Sequence, residues 1–139
     1  MSAPSPDWAG LGQAITARRR PILEGLADFI RLDTVSQRPD RVRVGAEWLT
    51  RAMRARGIEA RIIETGGNPA VYGAVPAPGA TSTVLIYCHY DVKPATPAGW
   101  LQPSPFEPVL RAGTAEEGAP VLALGAGADE ALPRHRLYG

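Results

Sequence analysis

A continuous apolar run leads into a histidine and a carboxylate in the segment Thr83-Val84-Leu85-Ile86-Tyr87-Cys88-His89-Tyr90-Asp91. Its first six residues are rich in β-formers, which is typical of a strand buried on both faces. We therefore expect residues 83–88 to form a central strand of a sheet. Residues i and i+2 of an extended chain project to the same side, about 6.6 Å apart. His89 and Asp91 should thus emerge together where the strand ends, a common place for ligands in α/β sheets.

A helical pattern precedes this strand. The spacing of Ile22, Leu26 and Ile30 predicts one buried stripe on a helix between about residues 11 and 32. Pro21 interrupts the pattern, so it should either kink the helix or begin its second half.

A second helix is predicted over residues 40–56. Asp40 is expected to cap its start and Gly57 to end it. Residues 33–39 before it should form a turn, because a proline disfavours helix at the residue that precedes it. The inward face of the helix is expected to carry five apolar residues, Val44, Trp48, Leu49, Ala52 and Met53.

Short strands complete the predicted fold. Residues 60–64 and 70–75 flank a Gly-Gly-Asn-Pro turn, and residues 107–111 and 136–138 are typical of two further strands. Residues 114–135 form a connection that is long for a compact domain, so we expect it to be a mobile insertion. Helices followed by strands favour an α/β or α+β arrangement, and we predict an α/β fold with the helices packed on a mixed sheet.

The composition of the 139 residues is that of an ordinary globular chain. Hydrophobic residues make up 45% and charged residues 21%, enough to build one core. The net charge is +1 and no basic cluster alternates with aromatics, so we expect neither nucleic acid nor a membrane as partner. The single cysteine and the lack of a secretory leader or long apolar run predict a cytoplasmic protein.

Several motifs occur in a specific order along the chain. They are Thr34-Val35-Ser36, Ala46-Glu47-Trp48-Leu49, the run from Thr65 to Gly73, the run from Thr83 to Pro94, Trp100 with Pro105-Phe106-Glu107-Pro108, and Arg136-Leu137-Tyr138-Gly139. Together they resemble the dipeptidase branch of the zinc-dependent aminoacylase/carnosinase peptidase family. The resemblance extends from about Leu23 to Gly139 and leaves out residues 114–135.

The resemblance implies a zinc exopeptidase-like catalytic domain with a two-zinc site. His89 would be the first metal ligand, and Asp91 the carboxylate that positions a metal-binding imidazole and tunes its basicity. In this family the metals lower the pKa of a shared water and polarise the scissile carbonyl, while a glutamate takes the proton. The substrates would be dipeptides, N-acylated amino acids or carbamoylated amines. Manganese or cobalt could replace zinc, because histidine and carboxylate ligands discriminate weakly among these metals.

The chain departs from the family pattern where the other ligands would lie. After Leu-Tyr-Gly the family continues through Arg-Gly to an Asp-Asp-Lys-Gly motif that bridges the metals, whereas this sequence ends at Gly139. The Glu-Glu pair, the later ligands and the inserted smaller domain, through which the full-length protein would form a homodimer, are also absent. We therefore expect residues 1–139 to be the N-terminal segment of one metallopeptidase catalytic domain. Alone it should be inactive, with an unpaired sheet edge and exposed apolar surface.

Two other interpretations stay open. The chain could be a non-catalytic binding or assembly module, or a remnant, which would fold cooperatively as a soluble monomer. It could also be one half of a split enzyme whose missing ligands come from a second polypeptide. We interpret the acidic residues and His135 within residues 114–135 as a solvated loop, Cys88 as a buried thiol, and Trp100 with Phe106 as packing at the rim of the site.

Overall fold

The structure is a computed structural model that describes residues 7–125 and 134–139. The described residues form three helices and two small antiparallel sheets. This mixed helix and sheet architecture agrees in coarse terms with the predicted class. The chain divides into two compact units, a helix–hairpin unit (Phe29–Thr96) and a terminal unit (Met1–Asp28 with Pro97–Gly139). None of the described helices has the length and apolar character needed to cross a membrane.

The first predicted helix is in fact two helices. α1 spans Trp8–Ala17, and Asp7 caps it by accepting a hydrogen bond from the backbone N–H of Gly10 at 2.9 Å. α2 spans Arg19–Ile30, with Pro21 in its first turn. A proline is tolerated there because the first N–H groups of a helix have no partner within it. Pro21 therefore belongs to the start of a second helix and does not kink a single long one.

The stripe predicted on α2 is only partly buried, which corrects the sequence-based expectation. Ile22 and Leu26 are 52% and 48% exposed, and the buried residue of this helix is Ala27. A helical stripe is buried only where another element packs on it. At these two positions about half of the side-chain surface stays in solvent.

α3 spans Pro39–Arg54, close to the predicted range. Its N-cap is Arg38, so the prediction that Asp40 caps the helix is wrong. Asp40 lies in the first turn instead, where a negative charge favours the helix dipole. Gly57 ends the helical segment with φ +77°, a left-handed conformation that glycine adopts without steric cost, as predicted.

A hairpin packs against α3. β1 (Glu59–Ile63) and β2 (Ala70–Ala74) are antiparallel, Arg61 pairs with Tyr72, and α3 contacts both strands. This confirms the two strands and the turn predicted between them. The most buried apolar residues of the unit are Val35, Val42, Ala46 and Ala60.

The inward face predicted for α3 is partly wrong. Val44 is 38% exposed, and the four other apolar positions are half-buried. The fully buried positions of the helix are Val42, Gly45, Ala46 and Thr50. Trp48 stacks on Phe29 with ring centroids 5.3 Å apart. Gly45 is one of these positions because a Cβ there would lie 2.5 Å from the side-chain methyl group of Thr34.

The terminal unit contains the second sheet. β3 (Val109–Arg111) is its central strand, flanked by β4 (Val121–Leu122) and β5 (Arg136–Tyr138). Leu110 pairs with Leu122 and Leu137 and is only 2% exposed. β3 and β5 confirm the two predicted C-terminal strands. β4 lies inside the connection predicted to be mobile, and residues 126–133 of that connection lie outside the described residues.

The prediction of a central strand at residues 83–88 is wrong. These residues adopt neither helix nor strand, and neither sheet contains them. Four consecutive side chains are 84–89% exposed, namely Val84, Leu85, Ile86 and Tyr87. A strand is buried only when neighbouring strands supply its hydrogen bonds and other layers cover it, and no described residue does either. Cys88 is exposed as well, so the prediction of a buried thiol is also wrong.

Candidate metal-binding site

His89 and Asp91 lie in the extended segment that follows residues 83–88. The expected sheet does not hold this segment. It is anchored instead at Val92, which forms a parallel β-bridge with Val35. The two site residues therefore lie just before an anchored residue, and not at the end of a paired central strand.

Three hydrogen bonds hold residues 90–92 against residues 34–36. The Thr34 hydroxyl donates to the Tyr90 carbonyl at 2.9 Å, and the Thr34 carbonyl accepts from the Val92 N–H at 3.0 Å. The Ser36 N–H donates to the Val92 carbonyl at 2.9 Å. Thr34 is only 4% exposed, so water competes little for these bonds. Both peptide units that flank Asp91 are thereby fixed.

The side chain of Tyr90 provides a second anchor. Its hydroxyl donates to the Pro69 carbonyl, and the neighbouring Asn68 amide donates to the Ser36 carbonyl at 3.0 Å. Burial raises the pKa of Tyr90, and the negative charge of Asp91 raises it further. The hydroxyl therefore stays protonated at neutral pH and keeps its role as a donor.

An ion pair ties α3 to the end of β1, in the hairpin that carries Asn68 and Pro69. Arg43 donates to both carboxylate oxygens of Glu64, each at 2.7 Å. This hydrogen-bonded contact raises the pKa of Arg43 and lowers the pKa of Glu64, because each charge favours the ionised form of the other. The pair adds a polar link between the helix and the hairpin.

The imidazole of His89 contacts Asp91 at two atoms. Nδ1 lies 2.7 Å from the Asp91 carbonyl oxygen and 3.6 Å from Asp91 Oδ1. A carbonyl oxygen only accepts hydrogen bonds, so in the neutral form of the ring Nδ1 carries the proton and Nε2 has the lone pair. The side chain of His89 is 76% exposed. Most of the ring is therefore open to an incoming ligand.

These two residues fit one ligand position of a metal site and do not complete the site. A neutral imidazole nitrogen is a common zinc ligand, and a carboxylate or carbonyl at the other ring nitrogen is the usual orienting partner. Within residues 7–125 and 134–139, no three His, Cys, Asp or Glu side chains lie close enough together to hold an ion. Around His89 the described residues thus offer one nitrogen ligand, and a metal centre needs further ligands.

The structure brings His89 and Asp91 together, as the spacing predicts, while their metal and catalytic roles stay predictions. Trp100 and Phe106 are half-buried in the terminal unit, and their place at the rim of a site also stays a prediction. Sequence reasoning did not find the part that Thr34 plays, because its contact with Tyr90 spans 56 residues. The only signal for it was that Thr34 belongs to one of the motifs that carry the family resemblance.

Comparisons of the chain with models of protein families, with curated proteins and with solved structures found no match. Two features of the chain therefore bear on its function, the ordered motifs quoted above and the geometry around His89. That geometry consists of one solvent-accessible imidazole nitrogen and an acidic residue that contacts the other ring nitrogen.

Proposed function

We propose that this chain is the N-terminal portion of the catalytic domain of a di-zinc metallohydrolase that cleaves the peptide or amide bond of dipeptides or N-acylated amino acids. His89 would be a metal ligand through Nε2, and Asp91 would orient its ring. The observation that carries the proposal is the contact between His89 Nδ1 and Asp91, which leaves the lone pair on Nε2. The order of the family-like motifs supports the same assignment.

The contribution of this chain to the chemistry is the control of one imidazole. A bound metal would act as a Lewis acid on the scissile carbonyl and lower the pKa of the attacking water. The Asp91 carbonyl holds the proton of His89 on Nδ1, and the nearby carboxylate makes the ring a better electron donor. Because no group of three possible metal ligands lies around His89 in the described residues, we expect the chain alone to be inactive.

Zinc is the proposed metal, and manganese or cobalt would also suit these ligand types. We place the protein in the cytoplasm, where the exposed thiol of Cys88 would stay reduced. Its proposed partners are small peptide or acyl-amino-acid substrates and, for the whole protein, a second subunit. We expect neither nucleic acid nor a membrane as partner, because the chain has a net charge of +1 and its sequence contains no basic cluster that alternates with aromatics.

Hydrolysis by the native protein tests this proposal. The protein purified from its source cells, with Zn²⁺ added, should release alanine from alanylalanine or from N-acetylalanine. His89→Ala should reduce this rate to background, because the metal loses a ligand. His135→Ala changes the other histidine of the chain and is the matched control, with an unchanged rate expected. Equal rates for the two variants, or no zinc-dependent hydrolysis, would overturn the proposal.

The intact mass of the native polypeptide separates the proposal from its alternatives. A mass several-fold above 14.8 kDa is expected if the chain is one segment of a larger catalytic domain. A mass of 14.8 kDa with activity only after a second polypeptide is added would favour a split enzyme. The same mass with a cooperative, metal-independent melt and no activity would favour a binding module.

A further inference from the structure

We infer that Thr34 is a positioning residue for His89: it holds the two peptide units on either side of Asp91 and so sets the tautomer and direction of the imidazole. That this positioning serves metal binding rests on the proposed function. Its first readout is the state of the His89 ring, which requires no hydrolytic activity.

Thr34 forms hydrogen bonds with the backbone on both sides of Asp91. Its hydroxyl donates to the Tyr90 carbonyl, and its own carbonyl accepts from the Val92 N–H. The N–H and C=O of a trans peptide unit point in opposite directions, and the described chain has no cis bonds. The bond from Val92 to Thr34 therefore turns the Asp91 carbonyl away from Thr34. On that side, it receives His89 Nδ1 at 2.7 Å.

Thr34 is itself held in place by its surroundings. A Cβ built on Gly45 of α3 would lie 2.5 Å from Thr34 Cγ2, so the helix backbone lies directly against the threonine methyl group. On its other side, Asp33 adopts φ +55° and its carboxylate pairs with Arg38 across the turn. The orientation of the imidazole is thus linked to α3 through Thr34, whose methyl group lies against the helix and whose hydroxyl and backbone carbonyl both bind the segment around Asp91.

The Thr34 hydroxyl can be removed without changing the packing. Valine has nearly the shape of threonine, so Thr34→Val keeps the methyl group beside Gly45 and removes the donor to Tyr90. Thr34→Ser keeps the donor and removes the methyl group. The two variants therefore separate the effect of the hydrogen bond from the effect of the packing. If Thr34 served only to fill space, Thr34→Val would leave the His89 ring unchanged.

The tautomer of His89 is the direct test. In the full chain labelled with ¹⁵N-histidine, at alkaline pH where imidazoles are neutral, the His89 ring should show a single Nδ1–H form. Thr34→Val should give a mixture of the two tautomers, and Thr34→Ser should restore the single form. The ring of His135, in the terminal unit, is the internal control and should be the same in all three proteins.

Metal affinity gives a second readout in the native protein. Thr34→Val should weaken Co²⁺ binding by about tenfold, the lower end for residues that orient a ligand, and Thr34→Ser should bind nearly as the wild type does.

An unchanged His89 tautomer in a folded Thr34→Val, judged by near-UV circular dichroism, would overturn the inference even if the protein hydrolyses dipeptides. If Thr34→Val does not fold, a tautomer mixture in Thr34→Ser would overturn it. A tautomer change without zinc-dependent hydrolysis would instead reject the proposed function and leave the positioning role intact.

Discussion

The hairpin of β1 and β2 and residues 83–88 have similar β-rich sequences, yet only the hairpin forms strands. β1 has its partner next in the chain, joined by the turn at residues 66–69, and α3 covers the pair. Residues 83–88 follow a loop rich in proline and glycine, and no described strand lies beside them. An apolar β pattern thus indicates which residues are suited to burial. Only a partner in hydrogen-bonding position makes those residues a strand.

The difference has an energetic consequence. Ala60 in the hairpin is 8% exposed, whereas Ile86 is 84% exposed. Burying one large apolar side chain contributes about 1.5–3 kcal/mol, so residues 83–88 leave several such contributions unused. Six uncharged residues with high β-propensity and neither proline nor glycine also form an aggregation-prone segment. The two regions should therefore respond in opposite ways to the same substitutions.

The largest difference in the free energy of unfolding is expected when a valine is replaced by aspartate, once in the buried helix–hairpin unit and once in residues 83–88. Val42→Asp places an unpaired charge at a fully buried position, and should lower the free energy of unfolding by about 3–5 kcal/mol. Val84→Asp changes a side chain that is 85% exposed, and should shift it by less than about 0.5 kcal/mol while increasing the soluble fraction. Urea unfolding and sedimentation measure the two effects. Similar losses of stability in both variants would contradict the prediction that Val42 lies in the core and Val84 lies in solvent.

A smaller contrast is expected for glycines in two helices. Gly45→Ala puts a methyl group against Thr34 and should destabilise the helix–hairpin unit by about 1–3 kcal/mol. Gly25→Ala in α2 meets no heavy atom within 4 Å and should stabilise its helix by about 0.5–1 kcal/mol. The urea midpoints of both variants check this. An increased midpoint for Gly45→Ala would show that α3 does not lie tightly against Thr34.

The smallest effect concerns the ion pair that links α3 to the hairpin. The pKa of Glu64 is lowered in the folded state, so the stability from its pairing with Arg43 is present above the ordinary value of 4.5 and is lost as the pH falls through the folded value. Glu64→Gln should therefore reduce the loss of stability on acidification. The side chains of Arg43 and Glu64 are 42% and 66% exposed to solvent, so the effect should be small and screened by salt.

The matched test for this pair is a double-mutant cycle followed by unfolding between about pH 7 and about pH 3. Arg43→Gln should remove the same pH-dependent contribution as Glu64→Gln, and the double variant should remove no more than either. Additive effects of the two substitutions would show that the contact contributes nothing to stability.

Local elements of the fold could be predicted because their causes lie within a few residues. The turn at Gly57 that follows α3 reflects the conformational freedom of glycine, and the hairpin follows from its turn residues. The exposure of Ile22 and Leu26 could not be predicted in this way, because the spacing of apolar residues on a helix does not show which element will pack on them. The cap of α3 was misplaced by two residues because Pro39, as the first helical residue, makes Arg38 the cap.

In the candidate site, too, the local contacts could be predicted from the sequence and the contacts between distant residues could not. The alternation of side chains along an extended segment is enough to bring His89 beside Asp91. The contacts that hold this segment come from Thr34 and from Pro69, which are distant in the chain from Tyr90. No period or motif spacing indicates that these residues meet.

The amino-acid sequence by itself determined the helices, the hairpin and the pairing of His89 with Asp91, because backbone preferences and side-chain alternation act over a few residues. The tertiary structure alone decided that Thr34 holds the backbone around Asp91 and that residues 83–88 remain uncovered. Both outcomes depend on hydrogen bonds and packing between segments far apart in the chain. Such contacts form only when the folded geometry brings a donor to its acceptor or one apolar surface to another.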